Sequence, residues 1–289
     1  MKKRGSRTAD TSAAQRAYHT LYASEPKVFD DPFAIQLTGP AWRFCLKNKW
    51  IVRFIERQYD WTMPIIGHHV ARSRYVEEQL DKLLEKGFTQ YVLLGAGMDS
   101  FVFRRPELSG KLAVFEIDHP GTQTRKRDRL KKLGIPEPRN VKYIAVDFEQ
   151  DSLTEKLSET GFQADEKTLF AWLGVVPYLT EASILTTLKD IAKTVARGSE
   201  LIFDVLYRSA FTQGKGTMTG RKLFRSTERK GEPMITGYDP DDLKRLLPET
   251  GFELTCVVSP DDFTNMWFTG RKDGLKPWKY TYVVRARVK

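Results

Sequence analysis

The chain has 289 residues, 40% of them hydrophobic and 29% charged, with a formal net charge of +10. That composition suits a single large core with additions and excludes a low-complexity chain or a fixed-period repeat. No apolar run approaches the ~20 residues that cross a bilayer, and the basic start MKKRGSRTAD leads into polar sequence, so a cytoplasmic protein with no membrane partner is expected.

In chain order, the first part reads as helical: SAAQRAYHTLYAS, FAIQL, WRFCLKNKWIVRFIERQY and HHVARSRYVEEQLDKLLEKG, the last stopping at Gly87. DDPFA at 30–34 reads as a turn with Pro at a first helical position. We expect residues 1–87 to form a helical cap beside the core. From residue 88 the pattern changes to short apolar runs separated by helices. Strands are expected at 90–96, 111–117, 141–147, 168–174 and 199–207, with helices near TQTRKRDRLKKLG, DSLTEKLSETG and EASILTTLKDIAKTVARG between them. Strands buried on both faces and joined by helices make a doubly wound, mostly parallel α/β sheet. Residues 208–238 form a long polar insert with no strong period, expected to be part of a lid or substrate wall. DPDDLKRLLPETG then reads as a helix, and GFELTCVVS and KYTYVVRARVK as an antiparallel pair at the sheet edge. This makes seven strands, with 88–289 as the core.

In such a sheet ligands bind beyond the carboxyl ends of the strands. The residues there are Gly95, Ala96, Gly97 and Asp99, then Asp118, Asp147, and Leu173 with Gly174. Glycines let a ligand approach the backbone. Asp118, 23 residues after Gly95, is placed to accept both hydroxyl hydrogens of a ribose. An NAD-dependent oxidoreductase would want a third glycine where Ser100 stands, and Asp99 would set a negative charge against a pyrophosphate. An adenosine cofactor without phosphates fits better: S-adenosylmethionine, with its ribose at Asp118, its adenine near Asp147 and its amino acid end at the glycine loop.

TSAAQRA, DDPFA, VARSRYVEEQL, LLGAGMDSFVFR, FEIDHPGTQTRKR, YIAVDF and WLGVVPYLT together resemble the leucine carboxyl methyltransferase family, in the broad sense that includes bacterial O-methyltransferases dependent on S-adenosylmethionine. The resemblance runs from about Thr11 through the fifth strand, more loosely to the C terminus, and implies a class I Rossmann-like fold. It also implies that Arg72 pairs with the cofactor carboxylate, that Gly95, Ala96 and Gly97 line the amino acid end, that Asp118 holds the ribose, and that Asp147 and Phe148 surround the adenine. Leu173 departs from the pattern. The family has Glu in W-E-G-V-x-x-Y-L, so an attraction for the cofactor's positive end is lost here.

The acceptor is expected to be a small molecule or peptide, anionic, methylated on a carboxylate or hydroxyl oxygen and held between the cap and the insert. The basic insert residues Arg225 and Arg229 motivate the anionic reading, with Arg16, Tyr178 and Tyr207 as further wall candidates. His68, His69 and His119 are assigned no catalytic role, and no catalytic residue is named. A nucleic-acid-binding protein or RNA methylase is the alternative that the net charge invites, but in stretches such as TRKRDRLKKLG the cations alternate with acids and read as a solvated helix face. Cys45 and Cys256 give neither a disulfide framework nor a metal pattern, and each reads as a small buried apolar residue.

Overall fold

The computed structural model describes residues 5–58, 60–148 and 151–289. The helices are α1 (Thr8–Tyr22), α2 (Ala34–Leu37), α3 (Pro40–Lys47), α4 (Lys49–Gln58), α5 (Met63–Leu84), α6 (Phe101–Arg104), α7 (Pro120–Lys132), α8 (Leu153–Ser158), α9 (Glu181–Thr194), α10 (Gln213–Gly216), α11 (Met218–Lys230), α12 (Pro240–Glu249) and α13 (Pro260–Phe263). The strands are β1 (Gln90–Leu94), β2 (Ala113–Asp118), β3 (Val141–Ala145), β4 (Thr168–Trp172), β5 (Glu200–Leu206), β6 (Phe252–Val258) and β7 (Thr281–Val288). Among the described residues no helix is long and apolar enough to cross a membrane.

The seven strands form one sheet in the order β3-β2-β1-β4-β5-β7-β6. β1 to β5 pair in parallel, and β7 runs antiparallel to both β5 and β6. The chain winds outward from β1 to β3, returns to β4 on the other side of β1, and winds the opposite way. The crevice is therefore at the tips of β1 and β4, where that reversal separates the connecting loops.

Strand alternation builds two cores. Val92, Leu94, Phe115, Ile117, Phe170 and Trp172 face one side, where Ile184, Leu188 and Ile191 of α9 and Leu243 and Leu247 of α12 cover them. Tyr91, Leu93, Val114, Leu169 and Ala171 face the other, against Ile66, Val70, Val76, Leu80 and Leu83 of α5. The last helix of the N-terminal segment is thus a layer of the sheet itself. A smaller cluster of Ala14, Ala17, Ala34, Leu46 and Val52 joins α1 to α4.

Three details differ from the sequence reading. The pattern WRFCLKNKWIVRFIERQY is broken at Asn48, whose backbone is extended (φ −104°, ψ 103°), and whose side chain accepts from the Trp50 and Ile51 N–H groups to start α4. The insert, expected to lack a regular period, contains the 13-residue α11, begun by Thr217 accepting from Gly220 N at 3.0 Å and stopped by Gly231 at φ +77°. Finally, Cys256 is exposed and Cys45 half-buried. Cys256 lies beside a register irregularity on the edge strand β6.

Candidate active site

A cavity of about 460 Å³ opens at the tips of β1, β2, β4 and β5. On the strand side the chain turns sharply after β1. Gly95 N and Ala96 N both donate to Ile117 O of β2, at 2.8 and 3.0 Å. Gly95 adopts φ +73°, and a Cβ there would collide with the Val175 side chain, so only glycine allows the turn and the β4 loop to meet.

Asp118 ends β2 with its carboxylate buried. Its Oδ2 accepts from Gly97 N at 2.5 Å and its Oδ1 from His119 N at 2.6 Å. Burial pushes its pKa up, against the opposing pull of those backbone N–H groups. The Thr122 side chain bonds to the carboxylate as well. A carboxylate has about four acceptor sites, so with three in use the side chain is fixed in place and keeps some acceptor capacity toward the cavity. Asp99, at the far end of the glycine loop, accepts from Phe101 N at 2.7 Å and so begins α6.

The floor is an ion-paired cluster that the sequence reading missed. Asp204, near the end of β5, is buried and pairs with Arg72 Nη1. It also binds His68 Nε2 at 3.1 Å and accepts from Gly174 N at 2.5 Å. Burial raises the Asp204 pKa, but the Arg72 charge, the His68 bond and the Gly174 N–H outweigh it and hold the carboxyl well below its usual range. Gly174 sits at φ +70°, and a Cβ there would come within 2.8 Å of Arg72 Nη2. The guanidinium therefore lies against the β4 turn, and Arg72 joins helix α5 to the tips of β4 and β5. An acid inside the apolar run SELIFDVLY was the available signal, since a buried carboxylate must have a partner.

The opposite side is helical. Arg16 of α1 pairs with Asp31 at 2.8 Å and donates from Nη2 to Met98 O at 2.6 Å, tying the DDPFA turn to the glycine loop. His68 and His69 of α5 line the cavity, and burial, the first cause, lowers both of their pKa values. From α11, Leu223, Ser226, Thr227 and Lys230 face inward at helical spacing. Glu232 then bridges to the start of α1, accepting from Arg7 N at 2.8 Å and Thr8 N at 3.2 Å.

Of the residues read from sequence, Arg16, Arg72, Gly95, Ala96, Gly97, Asp99, Asp118, Phe148, Leu173 and Tyr178 line this one cavity. Asp147 is outside its lining, between the lining residues Val146 and Phe148. Tyr207 packs on Tyr282 instead, with ring centroids 4.4 Å apart. Arg225 and Arg229 are exposed on the outer face of α11, one position off the inward stripe. The lining holds the cations Arg16, Arg72 and Lys230 beside the acids Asp99, Asp118, Asp204 and Glu232, so it carries no excess of positive charge. The basic first residues, 1–4, lie outside the described residues.

Residues 9–192 match the family model described as leucine carboxyl methyltransferase. This chain belongs to that family. A Bacillus subtilis (strain 168) protein named "Putative S-adenosyl-L-methionine-dependent methyltransferase YktD" is 31% identical to it, over 99% of this chain and 98% of the relative. Among solved structures, a DUF574 family protein of Streptomyces avermitilis superposes with a TM-score of 0.60 at 13% identity, covering 96% of this chain and 97% of the other. A "putative methyltransferase" of Thermobifida fusca gives 0.59 at 17% identity, covering 98% of each. At those identities the two structures speak for the fold.

Proposed function

We propose that this chain, an S-adenosylmethionine-dependent methyltransferase, carries the methyl group to a carboxylate or hydroxyl oxygen of a small acceptor held between the strand tips and α11. The observation that carries the reading is the convergence of the Gly95–Gly97 turn, the buried Asp118 carboxylate and Arg72 on one cavity at the sheet's switch point. Asp118 would hold the ribose hydroxyls. Arg72, with Nη1 committed to Asp204, would turn its remaining N–H groups to the cofactor carboxylate. Phe148, packed near Trp172 at 6.5 Å, and Asp147 would border the adenine. When bound, the cofactor would supply a sulfonium methyl open to in-line displacement with S-adenosylhomocysteine leaving; a carboxylate acceptor is already ionised, whereas a hydroxyl acceptor would also give up its proton.

The protein's part in that step is to align the acceptor and exclude water. The walls on the acceptor side include Ile65, Leu206, Leu223, Met234, Ile235 and Trp278, which suit an apolar body. An anionic acceptor loses its main support, because Arg225 and Arg229 face away. Leu173 lines the cavity without the carboxylate that its family motif carries. The test incubates the protein with methyl-labelled S-adenosylmethionine and a small-molecule extract, then follows label and S-adenosylhomocysteine. Label on an ester or ether oxygen is expected, and label on nitrogen or carbon would overturn the oxygen assignment.

A further inference from the structure

A second surface lies away from the cavity, on α3 and α4. Leu46 and Val52 turn inward to the cluster with α1, whereas Trp42, Phe44, Trp50 and Phe54 are 39%, 67%, 79% and 67% exposed. Trp50 and Phe54 are four apart on α4 and so share a face. Four large aromatic side chains in water, on two successive short helices, are not explained by packing.

The charge around them is mostly of one sign. Across α3 and α4 the sequence carries Arg43, Lys47, Lys49, Arg53 and Arg57 against the single acid Glu56. Arg53 lies over the Trp50 ring at 5.9 Å. Arg43 also lines a groove of about 630 Å³ between α3 and α7, together with Arg125, Asp128, Arg129 and Lys132. Asp10 pairs with Arg129 at 2.8 Å and with Arg125 at 3.7 Å, so part of that charge is neutralised within the fold. The aromatic patch and this groove share α3.

We propose that α3 and α4 form a docking surface for an anionic phospholipid bilayer, with the aromatic rings at headgroup depth and Lys47, Lys49 and Arg53 against lipid phosphates. Exposed Trp and Phe interleaved with an excess of Lys and Arg is the composition of helices that lie in a membrane interface. Negative leaflet charge attracts such a net-cationic surface. Helices of 8 and 10 residues are too short to span, so the association is peripheral.

The experiment is sedimentation of the full chain with vesicles of phosphatidylcholine alone or mixed with phosphatidylglycerol. Binding is expected only to the mixed vesicles and should weaken with added salt. Lys47→Gln with Lys49→Gln should lower partitioning roughly tenfold or more. Trp50→Ser with Phe54→Ser should lower it similarly, with circular dichroism and cooperative melting unchanged. Absence of binding to the mixed vesicles overturns the proposal, as does binding that neither pair of substitutions alters. So does light scattering that shows a dimer of the unaltered chain which Trp50→Ser with Phe54→Ser converts to monomer, since the patch would then serve a second copy.

Discussion

The two sides of the cavity are built by different means. The strand side consists of loop residues whose backbone N–H groups are held by the neighbouring strand: Gly95 and Ala96 donate to the Ile117 carbonyl, Gly97 to the Asp118 carboxylate. The helical side consists of residues far apart in sequence that meet only because α1, α5 and α11 pack together, and Glu232 reaching the start of α1 is one such contact. Parallel strands fix the first side almost by connectivity. The second depends on which stripe of each helix turns inward, and a shift of one residue replaces Lys230 by Arg229.

The joint between the sides should be the most sensitive point. Asp204→Ala strands the Arg72 guanidinium beside two buried imidazoles, and about 3–5 kcal/mol of stability should be lost, read from denaturant unfolding. Retention of full stability would mean that the two sides are not coupled through this cluster.

Acid tests the helical side separately. His19 of α1 is buried, and its Nε2 accepts from Val28 N and Phe29 N at 3.2 and 3.3 Å, so the ring is held neutral. Burial first, then the Arg271 charge, lowers its pKa to about 4. The unfolded chain takes up a proton near pH 6.5 while the native ring resists it, so stability falls as pH drops from about 6.5 toward 4. Between pH 7 and pH 5 this one site should cost on the order of 2 kcal/mol. His19→Gln should flatten that part of the stability profile, measured by urea unfolding at both pH values.

On the strand side, Asp118→Ala should weaken S-adenosylhomocysteine binding roughly tenfold to a hundredfold in calorimetry, the loss of charged hydrogen bonds to a sugar. An unchanged Kd would remove Asp118 from the cofactor site. The smallest effect should come from Arg225→Glu with Arg229→Glu. Exposed and outward, the pair should alter stability by no more than about 0.5 kcal/mol and leave cofactor affinity unchanged. A clear loss of cofactor or acceptor binding would show that the outer face of α11 belongs to the site.

The sheet was legible because each buried strand leaves an apolar run and each crossover a helical period. The glycine turn and Asp118 were legible because their chemistry sits next to strand ends. Asp204 was hidden inside a strand-like run, where an acid breaks the pattern but nothing local names its partner; Arg72 lies 132 residues away. α11 was missed because its apolar positions are sparse among Arg, Lys, Ser and Thr, so periodicity is faint until Phe224 is seen packed against Phe211 at 5.3 Å.

The sequence by itself determined the doubly wound sheet, its edge pair and the ligand-facing strand tips, because hydrophobic period and short connections act over neighbouring residues. Only the tertiary structure decided which cations face the cavity and that a buried aspartate anchors Arg72. Helix rotation and ion pairing are set by contacts between segments distant along the chain, and no local pattern carries them.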